Sequence, residues 1–231
     1  MSEPFDIIEV RAGVEAENDR FATLVRDHTR KEGIFLINLM ASPGAGKTSV
    51  LCRIIDALSA KYRIGVMEAD MDADVDSHTV TAHGAKALQL RTGTSCHVDA
   101  KMTLRGLEHF ASQPLDVIII ENVGNLVCPA EFDVGADMKL MILSVPEGDD
   151  KPLKYPLMFR VSDLMLINKI DTAPIFDFDT EKCIERVREL NPEMKVFPLS
   201  AKTGTGFPPF IAELEKLIDG ALAEKRKGGT E

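Results

Sequence analysis

The chain has 231 residues, 45% of them hydrophobic and 28% charged, with a formal net charge of −10, which suits a globular α/β protein whose core needs no disulfide support. The acidic balance excludes a dedicated nucleic-acid surface, which needs a concentrated positive face, but leaves room for a local phosphate pocket. No run approaches the roughly 18 apolar residues that span a bilayer, the start MSEPFDIIEV has no basic region before an apolar core, and four scattered cysteines without a CxxC fit a reducing compartment. The expectation is a cytoplasmic protein with neither membrane nor nucleic acid as partner.

Residues 9 to 32 read as helix, with Phe21, Leu24, Val25 and His28 at helical spacing. That stripe predicts a helical extension, residues 1–33, packed on a domain covering 34–231. From residue 34 onward short apolar runs alternate with longer amphipathic stretches. The runs are IFLINLM (34–40), RIGVMEA (63–69), KALQLR (86–91), LDVIIIE (115–121), KLMILSV (139–145), DLMLIN (163–168) and KVFPL (195–199). They lack strict polar alternation, the look of parallel strands buried on both faces. Stretches 47–60, 98–112 and 180–190 suit crossover helices, and 208–225 a last helix. The predicted fold is α/β, a mostly parallel sheet of about seven strands flanked by helices.

Directly after the first run comes ASPGAGKTSV, residues 41–50. It matches the phosphate-binding loop, with Ala41 in place of the usual first glycine, and puts the fold among the P-loop NTPases. Gly44 and Gly46 let the backbone curl so that its N–H groups, that of Ala45 among them, point at phosphate oxygens. Lys47 would reach the β and γ phosphates, Thr48 would hold Mg²⁺ by its hydroxyl, and Ser49 opens the following helix. INKID (167–171) has the NKxD pattern. Asp171 would accept from N1–H and the 2-amino group of guanine, Asn168 would brace the loop, and the Lys169 stem would lie over the base. Adenine lacks both donors, and a site built on required hydrogen bonds rejects such an analogue by about 10⁴-fold or more. SAKTG (200–204) follows the last strand, and Ser200, Ala201 and Lys202 match the loop that reads the guanine carbonyl. The three motifs in order point to GTP rather than ATP.

Glu121 ends the fourth run and begins ENVG, so Glu121 and Gly124 stand where GTPases commonly carry DxxG. Glu121 would act on the Mg²⁺ shell or position water, and Gly124 would approach the γ-phosphate. No glutamine follows to orient the attacking water, so hydrolysis should be slow. In EADMDADVDSHTV (68–80), Glu68, Asp70, Asp72, Asp74 and Asp76 crowd together. Asp70, at the end of a strand, and Asp76, at the start of a helix, are preferred for the Mg²⁺ shell and, with Lys47 and Glu121, for the catalytic group.

Cys96 and His97 sit side by side in RTGTSCHVDA (91–100), and Cys128 lies past the fourth run. Both segments should emerge beyond the carboxyl ends of their strands, on the nucleotide side. Two thiolates and an imidazole suit Zn²⁺, or Ni²⁺ in planar geometry. Ordinary loop residues remain an alternative on spacing alone. Cys52 and Cys183 fall within helices among apolar neighbours and read as small buried side chains.

The series SPGAGKT, TGTSCHVDA, ENVGNLVCP, VPEGDDKPLKYP and NKID, in order from about residue 34 to 206, resembles the hydrogenase nickel-insertion GTPase family, HypB. The resemblance implies a GTPase that dimerises with GTP bound, with Cys96, His97 and Cys128 holding Ni²⁺ or Zn²⁺ near the interface. It implies a GTP-coupled metallochaperone that delivers nickel to the large subunit of [NiFe] hydrogenase, with a second nickel-binding maturation protein as partner. Residues 1–33 contain no Cys and only His28, so tight nickel storage there is not expected. Lys151 and Lys154 are candidates to meet phosphate or an acid of a partner subunit, and LMFR (157–160) is apolar enough to pack. Two other functions stay open. One is a GTP-regulated dimeric scaffold with a structural zinc site. The other is an accessory GTPase for another nickel or cobalamin enzyme, of the urease-maturation type.

Overall fold

The computed structural model describes residues 10–70 and 75–228, and of residues 10–14, 70, 75–78 and 228 the backbone alone. In chain order the elements are α1 (Val10–Glu32), β1 (Phe35–Ala41), α2 (Lys47–Leu58), β2 (Ile64–Asp70), α3 (Val75–Ala82), β3 (Lys86–Arg91), α4 (Ala100–Phe110) and β4 (Val117–Glu121). There follow α5 (Cys128–Glu131), β5 (Met138–Ser144), α6 (Lys151–Lys154), α7 (Pro156–Val161), β6 (Leu164–Asn168), α8 (Thr180–Leu190), β7 (Lys195–Pro198) and α9 (Phe207–Gly228). The seven apolar runs are the seven strands, joined in one sheet of order β3-β2-β4-β1-β5-β6-β7, and every neighbouring pair is parallel.

Strands β1, β4 and β6 are buried along their whole length. Their β-branched and Leu/Met-rich sequences fit a pleated surface covered by helices on both faces. The two edges depart from the expected double burial. Every residue of β3 and β7 keeps some exposure, because an edge strand has a neighbour on one side alone. The chain leaves β1 toward β2 on one side, and after β4 it crosses to β5 on the other. The loops beyond β1 and β4 therefore part, and a crevice opens at their carboxyl ends, where doubly wound sheets bind ligands.

Helix α1 packs against α4, but only in part through the stripe expected of it: Val25 is buried and Phe21 and His28 are half-buried. Its buried positions are Asn18, Ala22, Val25 and Thr29, whereas Leu24 is 50% exposed. Two polar residues replace apolar ones because their hydrogen bonds are met. Asn18 donates to the Asp133 carbonyl at 2.8 Å and accepts from the Ala100 N–H at 3.0 Å. Helix α1 is thereby tied to the start of α4, the helix that follows the Cys96–His97 loop. Cys52 and Cys183 are buried as expected, and burial pushes the Cys183 thiol up to about 12. In α7, Met158 and Phe159 pack as expected, while Leu157 is 42% exposed.

At the opposite end of the sheet, Asp116 joins the starts of β2 and β4. Its carboxylate accepts from Arg63 Nε and Nη2, both at 2.8 Å, and from the Arg63 backbone N–H at 2.9 Å. The guanidinium holds the Asp116 carboxyl below its usual pKa. A depressed pKa means that the carboxylate stabilises the fold above the ordinary aspartate range and loses that contribution as pH falls through the folded value. Asp116→Asn should therefore cost about 1–2 kcal/mol at pH 7, the partly exposed guanidinium limiting the effect. Urea unfolding of both proteins should show the difference shrinking below about pH 4. A difference constant with pH would mean that the charge contributes nothing.

Candidate nucleotide cleft and metal triad

The loop between β1 and α2 opens a cleft of about 590 Å³ lined by Gly44, Gly46, Lys47, Thr48, Ser49, Glu121, Gly124 and Lys169. Gly46 takes the left-handed conformation at φ 95°. A Cβ there would lie 2.7 Å from the Asn168 Nδ2, so no other residue fits the turn. Lys47 and Thr48 start α2, whose first N–H groups and positive dipole end face the cleft. The Thr48 hydroxyl donates to Glu121 Oε1 at 2.9 Å. Register explains the contact, since Glu121 pairs with Leu39 of β1, the strand that feeds the loop. Hydroxyl and carboxylate oxygens are donors that suit a hard divalent cation.

The second end of the cleft is built by the NKID and SAK segments. Asn168 is buried and bridges three loops. Its Nδ2 donates to the Ala45 carbonyl at 2.9 Å, and its Oδ1 accepts from the Ala201 N–H at 3.0 Å. Lys169 sits at φ 63°, the one positive value at a non-glycine among the described residues. Its Nζ donates to the Gly44 carbonyl at 2.6 Å, so the lysine stem spans from the base end to the phosphate loop. Strain of this kind persists where neighbours fix it, and it gathers at functional sites. Ser200 Oγ donates to Asp171 Oδ1 at 2.6 Å, with Asp171 itself exposed. Arg53 of α2 donates to the carbonyls of Ala201 at 2.8 Å and Lys202 at 3.1 Å, which fastens that loop to the phosphate side.

Two preferred acids escape description: the side chains of Asp70 and Asp76 lie outside the described residues, as do Asp72 and Asp74 entirely. Asp70 ends β2, and Asp76 is the second residue of α3. Glu68, given no preference from sequence, is buried, lines the cleft and pairs in register with Glu121. Gln89, Pro43, Asn122 and Val123 also line it. The notice of Glu68 was available in the order of strands, because β2 and β4 end side by side. Lys151 and Lys154 are engaged locally. The former lies over the Tyr155 ring at 5.2 Å, and the latter pairs with Asp150 at 2.6 Å.

Cys96, His97 and Cys128 do converge, their ligand atoms within 4.8 Å of one another. The two sulfurs lie 2.7 Å apart, and Cys96 Sγ is 3.8 Å from His97 Nδ1. With metal–sulfur bonds of about 2.3 Å and metal–nitrogen bonds of about 2.0 Å, the sulfur–nitrogen separation is within reach of one ion, and the two sulfurs would part by roughly 0.5–1 Å to share it. Cys128 is not a loop residue, as expected from sequence, but the first residue of the short helix α5, with Pro129 in its first turn. The His97 ring stacks on Phe132, centroids 4.1 Å apart, and burial lowers its pKa, which favours the neutral form that ligates metal. The Cys128 contact raises the Cys96 thiol, so a cation bound there must displace its proton. Soft donors on the rim and hard oxygen donors in the cleft make two chemically distinct candidate cation sites on neighbouring loops.

The CobW/HypB/UreG nucleotide-binding domain profile matches residues 35–198. Hydrogenase maturation factor HypB of Rhizobium leguminosarum bv. viciae is 44% identical over 90% of this chain and 70% of its own length. The probable hydrogenase maturation factor HypB of Methanocaldococcus jannaschii is 35% identical over 92% of this chain and 96% of its own. Among solved structures, HypB from Archaeoglobus fulgidus superposes with a TM-score of 0.83 at 38% identity, covering 88% of this chain and 99% of that one. HypB from Helicobacter pylori in complex with nickel gives 0.78 at 36%, covering 93% and 98%. A signal recognition particle protein from Aeropyrum pernix, at 14% identity and a TM-score of 0.56, shares the fold alone. The chain belongs to the hydrogenase maturation factor HypB family, within the CobW/HypB/UreG nucleotide-binding domain group.

Proposed function

We propose that this protein is a slow GTPase that binds nickel or zinc at Cys96, His97 and Cys128 and couples its nucleotide state to nickel delivery for [NiFe] hydrogenase maturation. The observation that carries this reading is the shared loop: Glu121 and Gly124 line the nucleotide cleft, and Cys128 ends the same segment at the metal triad. A relative solved in complex with nickel supports the choice of cargo.

Lys47 would neutralise the β and γ phosphates, and the N–H groups of residues 44–49 would orient them. Thr48 and Glu121 would hold Mg²⁺, with Asp70 and Asp76 as further candidates; bound there, the cation would supply charge neutralisation at the phosphates. Asp171 would read the guanine edge, with Ser200, Ala201 and Lys202 enclosing it. A GTP-dependent homodimer would set two triads near its axis and offer a surface to a second maturation protein and to the hydrogenase large subunit.

The test is nickel-against-zinc competition on the full chain, with GDP and then with a non-hydrolysable GTP analogue. Nickel affinity should differ between the two states by roughly 5- to 150-fold. A ratio of one, with metal removal abolishing dimerisation, would instead assign the metal a purely structural role.

A further inference from the structure

We infer that Asn122 and Asn125 are the positioning residues through which nucleotide state reaches the metal triad, an inference that rests on the coupling proposed above. They flank Gly124, and each hydrogen-bonds both to β1 and to the loop that carries Cys96 and His97. Asn122 is fully buried. Its backbone N–H donates to the Leu39 carbonyl of β1 at 3.0 Å, and its Nδ2 donates to Asn38 Oδ1 of the same strand at 3.0 Å. Its Oδ1 accepts from the Val98 N–H, the residue after His97, at 3.0 Å.

Asn125 repeats the pattern one turn of the loop later. Its backbone N–H donates to the carbonyl of Ala41, where β1 runs into the phosphate loop, at 2.9 Å. Its Nδ2 donates to the Cys96 carbonyl at 3.3 Å, and its Oδ1 accepts from the Val127 N–H, next to Cys128, at 2.9 Å. The main chain beside each of the three ligands is therefore held by one of two amides.

Between these amides the chain is pressed against the phosphate loop. A Cβ on Gly124 would lie 3.0 Å from both N and Cα of Pro43. A segment with so little clearance cannot yield to a γ-phosphate without shifting along its length. Such a shift moves the acceptors and donors that fix Cys96, Val98 and Val127. Asn38 adds a second sign that this network is not mere packing: its Nδ2 is buried and has no hydrogen-bond acceptor among the described residues, a cost that cores rarely carry without a function.

A wire drawn through contacts becomes coupling only when an energy is measured. The experiment uses the full chain, wild type and Asn125→Ala, with nickel affinity measured by competition against a chromophoric chelator in GDP and in a non-hydrolysable GTP analogue. N125A removes an outer partner of Cys96 and should lower nickel affinity in GDP and in the GTP analogue alike by up to about 100-fold. Beyond that shared loss it should pull the GTP-to-GDP affinity ratio at least threefold toward one. By reciprocity the effect of nickel on nucleotide affinity must fall by the same factor, which checks the two titrations against each other; a loosened loop that weakens nickel equally in both states leaves the ratio unchanged. Asn122→Asp, which keeps the acceptor for Val98 and removes the donor to Asn38, should act in the same direction. A wild-type ratio of one overturns the coupling itself. A coupled wild type whose full ratio survives in N125A overturns the role of the asparagines while leaving the coupling intact.

Discussion

Replacing Asp171 by Asn should lower GTP affinity by about 10²- to 10⁴-fold and make xanthosine triphosphate the tighter ligand. The carboxylate would accept two charge-assisted hydrogen bonds from guanine, each worth roughly 1.5–3 kcal/mol, and every 1.4 kcal/mol is a factor of ten. An asparagine presents one acceptor and one donor. Xanthine keeps the N1–H and replaces the 2-amino group with a carbonyl, so donor meets acceptor at both positions. The frame should survive the change. Ser200 Oγ now donates to Asp171 Oδ1 at 2.6 Å and can donate equally to an amide oxygen. Asn168 holds the neighbouring loops independently, through Ala45 and Ala201. Competition between the two triphosphates on wild type and D171N measures the result. GTP affinity unchanged within threefold would place base recognition somewhere other than the NKID segment.

The strands were legible because each is a short apolar run whose neighbours are helical, and the seven runs became seven strands with ends shifted by a few residues. The phosphate loop was legible because the glycine, lysine and threonine that it needs are adjacent in sequence. The metal triad was legible in part, once Cys96 and Cys128 were assigned to loops at the same end of parallel strands. What composition hid was polar and long-range. Helix α1 buries Asn18 and Thr29 rather than Leu24, because a hydrogen bond to Asp133 or Ala100 is invisible to an apolar stripe. Glu68 looked like one acid in an acidic run, and only the register with Glu121 brings it into the cleft. Asn122 and Asn125 stand within ENVGNLVCP, where spacing assigns them no role. Their partners, Val98, Cys96 and Asn38, lie far away in sequence, and no local spacing announces such bonds.

Replacing Cys96 or Cys128 by Ala should abolish stoichiometric nickel and zinc binding while leaving GDP affinity within about threefold. Three ligand atoms gathered within 4.8 Å form the triad. Loss of an outer partner of a metal ligand commonly costs 10–100-fold in affinity, so loss of a thiolate itself should cost more than about 100-fold. The four cysteines provide their own control. Cys183 is buried in the core, and its thiol is pushed up to about 12 by burial, so it cannot serve as a thiolate near neutrality. Cys183→Ala should lower stability by opening a small cavity and leave metal stoichiometry unchanged. Metal titration by competition, beside nucleotide titration, separates these outcomes. The triad would be discarded as the metal site if C96A and C128A each kept one tightly held ion per chain. Binding lost together with nucleotide affinity would mean that the cysteines hold the loop rather than the ion. Because Asn125 links the Cys96 carbonyl to the end of β1, the C96A side-chain truncation leaves that backbone bond in place. A selective loss of metal in C96A therefore reports the sulfur, and a loss of GTP response in N125A reports the amide beside it.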